Sequence, residues 1–196
     1  MHIGRWAVAA AAACTAWTSL LAQPAPTPRS FATRANMSVD STTLVLSTAV
    51  ATVEADPMAA GVSWIRVYFY AFPLGPDDVA SVTRGSVVSM DKKWQREASR
   101  PRDYNTSRAV VQLTVDRRFK IVQADMSIPG HTCTIASTPR ELGRFAQRYE
   151  LDGKRLRLAS TGSYICDRQS LKLPAETFRW SLDVDIPAFA KAHGGP

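Results

Sequence analysis

The feature that most constrains the fold is a strict alternation of apolar and polar residues over positions 178–186. Phe178, Trp180, Leu182, Val184 and Ile186 alternate with Arg179, Ser181, Asp183 and Asp185. Successive side chains of a β-strand point to opposite faces of a sheet. The pattern therefore predicts a strand with one buried face and one solvated face, which ends at Pro187.

Segments of similar character recur along the chain, separated by turn signals about 8–12 residues apart. They cover residues 42–54, 62–72, 108–116, 120–128, 131–137, 145–151, 154–160 and 163–166. Short helices are predicted at Pro76–Arg84, with acids in the first turn, and at a capping box that begins at Thr138. About eight or nine strands at this spacing predict an all-β fold, namely an antiparallel two-sheet β-sandwich. A closed lipocalin-like β-barrel is the alternative, because the strand patterns fit both arrangements.

The length and composition fit a single globular domain. The chain has 196 residues, 45% of them apolar and 21% charged, and its three cysteines are too few for a disulfide-dominated miniprotein. We expect a signal peptide over residues 1–22, a flexible N-terminal lead-in over 23–40, one β domain over 41–188 and a frayed tail over 189–196. No segment repeats with a fixed period, which argues against a propeller or a solenoid.

The N-terminus has the composition of a secretory signal peptide. Arg5 supplies a positive charge, Trp6–Leu21 is uncharged and rich in alanine, and Ala22 precedes a proline-rich break. Cleavage after Ala22 predicts a periplasmic or secreted protein. A membrane anchor is disfavoured, because the apolar run is shorter than the ~20 residues that a spanning helix needs. Lipidation at Cys14 is disfavoured, because three alanines stand where a leucine is usual.

Cleavage leaves two cysteines, Cys133 and Cys166, in a compartment where thiols oxidise. The simplest prediction is a disulfide bond between them. In the chain-entropy model, closing a loop of this length stabilises the fold by roughly 4 kcal/mol. A redox or metal pair is disfavoured, because the C-x-x-C spacing typical of such sites is absent. We therefore predict a disulfide and no metal or other cofactor.

The sequence offers few catalytic residues. No H-E-x-x-H, G-x-S-x-G or P-loop motif occurs, so the chain is not predicted to be an enzyme. The faint candidates are the S-x-x-K pair Ser89 and Lys92, the loop histidine His131, and the aspartates Asp183 and Asp185 on one strand face. Each has an ordinary explanation, respectively a chance spacing, a polar loop residue and the solvated face of a strand.

The predicted strand 62–72 carries aromatic side chains on both faces. Ile65, Val67, Phe69 and Ala71 are predicted to face the core, and Trp64, Arg66, Tyr68 and Tyr70 to face the other way. Arginine stacks on aromatic rings, so the second row could form a binding platform for sugars, peptides or anionic ligands. The alternative is a central strand that is covered on both faces.

The polar segment 91–107 is predicted to be a long basic loop. Its candidate binding residues are Lys92, Lys93, Trp94, Arg96, Arg100 and Arg102, and further basic residues around the Asp152–Gly153 turn are Arg144, Arg148, Lys154, Arg155 and Arg157. Positive charge beside aromatic rings is typical of surfaces that bind anionic polymers. The alternative is a solvated face that keeps a basic protein soluble.

Together these features predict an exported, non-enzymatic β-domain that binds an anionic or protein partner at the bacterial cell envelope. Nucleic acid is not an expected partner for an exported protein. Two other functions stay open at this point. One is a lipocalin-like carrier of a small ligand, with Trp64, Tyr68 and Tyr70 lining a cavity. The other is a hydrolase whose site the sequence does not reveal.

Overall fold

The computed structural model describes residues 31–83, 108–128, 130–152, 155–186 and 190–191. Within these ranges the strands are β1 Phe31–Val39, β2 Thr42–Ala55, β3 Ser63–Tyr70, β4 Arg108–Val115, β5 Ile121–Ile128, β6 His131–Ala136, β7 Arg148–Asp152, β8 Arg155–Cys166, β9 Glu176–Ile186 and β10 Ala190–Lys191. The helices are α1 Pro76–Thr83 and α2 Pro139–Phe145, with a 3₁₀ turn at Gln169–Leu171. The predicted signal peptide, the basic loop and the Ser89–Lys92 pair lie outside the described residues.

Nine of these strands form one antiparallel sheet, in the order β6-β5-β4-β3-β2-β1-β9-β8-β7. The sheet curls into a half-barrel. The all-β class and the antiparallel pairing predicted from the sequence are confirmed. The two-sheet sandwich is not confirmed, because β1 pairs with both β2 and β9 and so joins the two runs of sequential strands into a single sheet.

Strand β1 occupies the second half of the predicted flexible lead-in. It pairs with β2 from Phe31↔Ala49 to Val39↔Thr42, and with β9 from Arg34↔Asp183 to Val39↔Phe178. Its alternate residues Ala35, Met37 and Val39 are buried in the core. Residues 31–39 are therefore a central strand of the sheet rather than a flexible segment.

The core lies on the inner face of the curled sheet. Every strand from β1 to β9 except the short β7 contributes fully buried apolar residues to one continuous cluster, and Tyr149 and Leu151 of β7 pack against it. Strand β4 illustrates the pattern, since Ala109, Val111, Leu113 and Val115 are buried while the residues between them are half-buried. This is the alternation predicted for that strand.

Helix α1 covers part of the outer face. Its residues Val79 and Val82 pack with Val50 of β2 and with Tyr68 and Tyr70 of β3 in a second apolar cluster. The helix begins at Pro76, as predicted, and the Asp78 carboxylate accepts a hydrogen bond from the backbone N–H of Gly75. An acid in the first turn stabilises a helix through the unpaired N–H groups there.

The C-terminal segment returns to the sheet after β9. Strand β10 pairs in parallel with β2 at Thr52 and Val53. The pairing of β1 with β2 ends at Ala49, so β10 pairs with the following part of the same strand. The tail predicted to fray over 189–196 thus contains a short paired strand.

The β7–β8 hairpin forms around the predicted Asp152–Gly153 turn. Gly162 of β8 pairs with Trp180 of β9 in continuous register.

Two features bridge the two edges of the half-barrel. The predicted disulfide between Cys133 of β6 and Cys166 of β8 is confirmed, with a Cα–Cα distance of 6.0 Å. Helix α2 connects β6 to β7 and contacts β5, β6 and β8. We call the gap between β6 and the β7–β8 hairpin the seam. The seam is therefore closed at one end by the disulfide and spanned further along by α2.

Candidate functional site

A cleft of about 530 Å³ lies on one side of α2, and we call it the α2 cleft. Its apolar walls are formed by Ile121, Val122, Pro139, Leu142 and Ala146. Its polar groups are Asp116, Lys120, Ser137 and Tyr149. The β4–β5 turn, α2 and the start of β7 therefore meet around one concave, mostly apolar surface.

The wall of the α2 cleft depends on an irregularity in the β4–β5 pairing. The register passes from Thr114↔Gln123 to Val115↔Ile121, so β5 carries an extra residue at this point. The bulge buries Ile121 and leaves Val122 41% exposed. Strict alternation would put Val122 on the same face as the buried Ala124 and Met126, but the bulge shifts the alternation by one residue.

Tyr149 is the aromatic residue among the polar residues that line the cleft. It lies opposite Leu158 in the β7–β8 hairpin, and its hydroxyl is buried without a hydrogen-bond partner among the described residues. Burial raises the pKa of the Tyr149 hydroxyl well above its usual range, and the negative charge of Asp116 raises it further. The hydroxyl therefore keeps its proton at physiological pH and is available as a donor.

Asp116 is held in its ionised form by the β4–β5 turn. Its Oδ1 accepts hydrogen bonds from the backbone N–H groups of Arg118 at 2.8 Å and Lys120 at 2.9 Å. These bonds, the one from Lys120 foremost, lower the pKa of the Asp116 carboxyl. Because that oxygen is engaged in the turn, Asp116 contributes a fixed negative charge to the cleft.

A smaller hollow of about 340 Å³ lies on the other side of α2. Its lining includes Arg144 and Phe145 of α2, Gly162 and Tyr164 of β8, and Trp180 of β9. The neighbouring edge of β8 is covered by the Gln147 side chain, which accepts from the Thr161 N–H and donates to the Thr161 carbonyl, both at 2.9 Å. Gln147 thus extends the pairing of β7 by one residue.

The predicted binding platform on β3 consists of Trp64, Arg66, Tyr68 and Tyr70, and the fold places these residues in two different environments. The Arg66 guanidinium lies 4.9 Å from the Trp64 ring centroid and binds Glu54 and Gln112 at 3.0 Å each. Tyr68 and Tyr70 are buried beneath α1. The burial of the two tyrosines agrees with the alternative of a central strand covered on both faces, and ligand binding by this row stays a prediction.

The acidic residues on the outer face of β9 lie in ion pairs. Asp183 pairs with Arg148, and Asp185 pairs with Arg155 at 2.7 Å. The bond from Arg155 lowers the pKa of the Asp185 carboxyl. Arg157 in turn binds Glu150 at 2.8 Å. Much of the positive charge predicted around the β7–β8 turn is thereby balanced by acids on the same face.

His131 lies beside the disulfide, in a cluster that the sequence does not indicate. Its Nδ1 is 2.7 Å from Oε1 of Glu176, and the same oxygen accepts a hydrogen bond from Arg168 at 2.9 Å. Glu176 is 45 residues from His131 in the chain, so no local motif could connect them. Within the described ranges no group of three or more His, Cys, Asp or Glu residues could hold a metal ion.

Comparison of the chain with protein-family models, with curated proteins and with solved structures found no match in any of the three. Neither α1 nor α2 is long and apolar enough to cross a membrane. The function is therefore inferred from the geometry and chemistry of the sites themselves.

Proposed function

We propose that this chain is a binding protein that holds a small, largely apolar molecule in the α2 cleft. The observation that carries the proposal is the cleft itself, about 530 Å³ in volume with mostly apolar walls and a few polar groups. Small-molecule sites are typically concavities of roughly 300–1,000 Å³ with this kind of lining. The proposal corresponds to the carrier alternative of the sequence analysis, with the ligand placed at the seam instead of against β3.

Exposed apolar side chains at the cleft support the proposal. Val122 is 41% exposed in its wall, and Phe119, in the adjoining turn, is 45% exposed. Removing apolar surface from water is favourable by about 25 cal/mol per Å². A ligand that fills the cleft would cover part of this exposed surface.

The proposed setting is an oxidising compartment outside the cytoplasm. The support comes from two features, the signal-peptide composition of residues 1–22 and the Cys133–Cys166 disulfide. Disulfides persist in secreted and periplasmic proteins and are rare in the cytosol. A carrier in such a compartment would hold an apolar molecule that is poorly soluble in water.

The α2 cleft can be tested by filling it from Gly143. A Cβ added at this lining residue would meet no atom within 4 Å, so the position has open space for a side chain to begin. We expect Gly143→Phe to weaken binding of the neutral fluorophore N-phenyl-1-naphthylamine at least about tenfold, because the ring occupies the apolar space. The measurement is a fluorescence titration of the full chain.

Gly143→Ala is the matched control, since it changes the same helical position with a single methyl group. It is expected to bind the fluorophore like the parent and to be slightly more stable, because alanine is the better helix former. Equal affinity of Gly143→Phe and Gly143→Ala for the fluorophore would contradict the proposal.

A second candidate function is attachment to an anionic lipid surface through the β8–β9 connection. Ile165, Leu171 and Leu173 are 68%, 63% and 45% exposed there. Lys172 separates the two leucines, and Arg179 is a diagonal neighbour of Ile165 on the outer face. Apolar side chains beside basic residues favour contact with the headgroup region of anionic membranes.

Lipid attachment is tested by sedimentation of the full chain with phosphatidylglycerol-containing vesicles. We expect Leu171→Asp with Leu173→Asp to lower the bound fraction about tenfold, because two apolar contacts are lost and two negative charges are added. Val45→Asp, at an exposed position on β2, is the control and is expected to bind like the parent. Unchanged sedimentation of the double variant would remove this candidate.

A further inference from the structure

We infer that the ligand of the α2 cleft is an uncharged amphiphile whose carbonyl-type oxygen accepts a hydrogen bond from the Tyr149 hydroxyl. The inference rests on the proposed function, since it names the chemical class of ligand for the same cleft. It goes further because it assigns Tyr149 a role in ligand specificity, namely selecting apolar molecules that carry an acceptor oxygen.

The first support is the unpaired state of the hydroxyl. Tyr149 stands on β7 opposite Leu158, and its ring packs against the core while its oxygen is buried without a partner in the described part of the chain. A buried hydroxyl without a hydrogen bond is unfavourable, and a phenylalanine would fill the same space without that penalty. A ligand atom that accepts from the hydroxyl would remove the penalty.

The second support is the direction of the bond. The Tyr149 hydroxyl remains protonated, because burial and the nearby Asp116 charge both disfavour the phenolate. Asp116 Oδ1 is already engaged, since it accepts from two backbone N–H groups in its own turn. The complementary ligand group is therefore an acceptor oxygen.

The third support is the charge at this point of the cleft. Asp116 acts on Tyr149 as a negative charge. A carboxylate or phosphate placed at the hydroxyl would lie in the field of Asp116 and be repelled. An ammonium group would be attracted, but it offers no lone pair to Tyr149. An ester, ketone or amide oxygen satisfies both conditions.

The remaining walls define the body of the ligand. Leu142 and Ala146 of α2 face the cleft together with Ile121 and Val122 of β5. These side chains offer apolar contact and no hydrogen bond, so they suit an alkyl or ring-containing hydrocarbon portion. An apolar body with one uncharged acceptor matches the cleft in both shape and chemistry.

The test compares three ligands that differ in one group, namely 2-decanone, decane and decanoate. Each is titrated against N-phenyl-1-naphthylamine bound to the full chain. We expect 2-decanone to displace the fluorophore more readily than decane or decanoate. In Tyr149→Phe, the affinity for 2-decanone should fall about three- to tenfold, the size expected for one net neutral hydrogen bond, with decane unaffected.

Tyr164→Phe is the matched control, because Tyr164 lines the smaller hollow on the other side of α2. It should leave all three affinities unchanged. Retained affinity of Tyr149→Phe for 2-decanone, or stronger displacement by decanoate than by 2-decanone, would overturn the inference while the cleft itself could still bind the fluorophore. Failure of Gly143→Phe to block the fluorophore would instead overturn the proposed function, and the inference with it.

Discussion

Replacement of Cys133 by serine is expected to lower the free energy of unfolding by about 2–5 kcal/mol. The Cys133–Cys166 bond closes a loop of 33 residues and joins β6 to the end of β8 across the seam. Without it the unfolded chain gains conformational freedom, and in the folded state the edges are held by non-covalent contacts, among them those of α2 and the His131–Glu176 pair. Equilibrium urea denaturation of the parent and the variant measures the difference.

Three controls separate loss of the disulfide bond from loss of the cysteine side chain. Cys166→Ser should destabilise the protein as much as Cys133→Ser, and the double variant should be no less stable than either, because each change removes the same bond. The parent with its disulfide reduced should approach the same value. Two thiols that alkylate without prior reduction, or a loss below about 1 kcal/mol, would contradict the expectation.

Local pattern was sufficient to predict most of the strands. Those that bury one face against the core carry a visible alternation, as in Arg108–Val115 and in Glu176–Ile186. The capping box at Thr138 and Glu141 likewise marked the start of α2, because both reciprocal hydrogen bonds of that motif lie within four residues. Signals of this kind need no knowledge of the rest of the chain.

The arrangement of the strands could not be predicted in the same way. Within residues 34–39, for which burial is described, β1 carries three buried apolar residues; the strand follows a proline-rich stretch, so its pattern resembled a lead-in. Its role depends on pairing with β9, almost 150 positions away at Arg34↔Asp183. The sandwich prediction rested on the number and spacing of the strands, which do not show that β1 joins β2–β6 and β7–β9 into one sheet.

The α2 cleft depends on similarly non-local features. The bulge that turns Val122 out of the core arises from the β4–β5 pairing, and the position of α2 over the seam arises from the curl of the sheet. Tyr149 lies in a segment predicted as an ordinary strand, and what distinguishes it is a buried hydroxyl that has no hydrogen-bond partner among the residues the structure describes. In contrast, the contact of Arg66 with an aromatic neighbour was predicted locally and is present with Trp64.

Replacement of Trp180 by alanine is expected to lower the free energy of unfolding by about 3–5 kcal/mol. The indole is buried opposite Gly162, its N–H donates to Ser160 Oγ at 2.7 Å, and its ring lies 6.0 Å from that of Phe145 of α2. Alanine would leave a cavity where α2 packs on the seam and would leave the buried Ser160 hydroxyl without this donor. Equilibrium urea denaturation is again the measurement.

A double-mutant cycle with Gly162 tests whether the Trp180 indole is the group that requires glycine at position 162. A Cβ on residue 162 would lie 2.7 Å from Cζ2 of Trp180, so Gly162→Ala alone should cost about 1–3 kcal/mol by overpacking. In the Trp180→Ala background the ring is gone, and Gly162→Ala should then have little effect. The two changes should therefore be non-additive by about 1 kcal/mol or more. Additive losses would show that Gly162 is required for a reason other than the close approach of the indole.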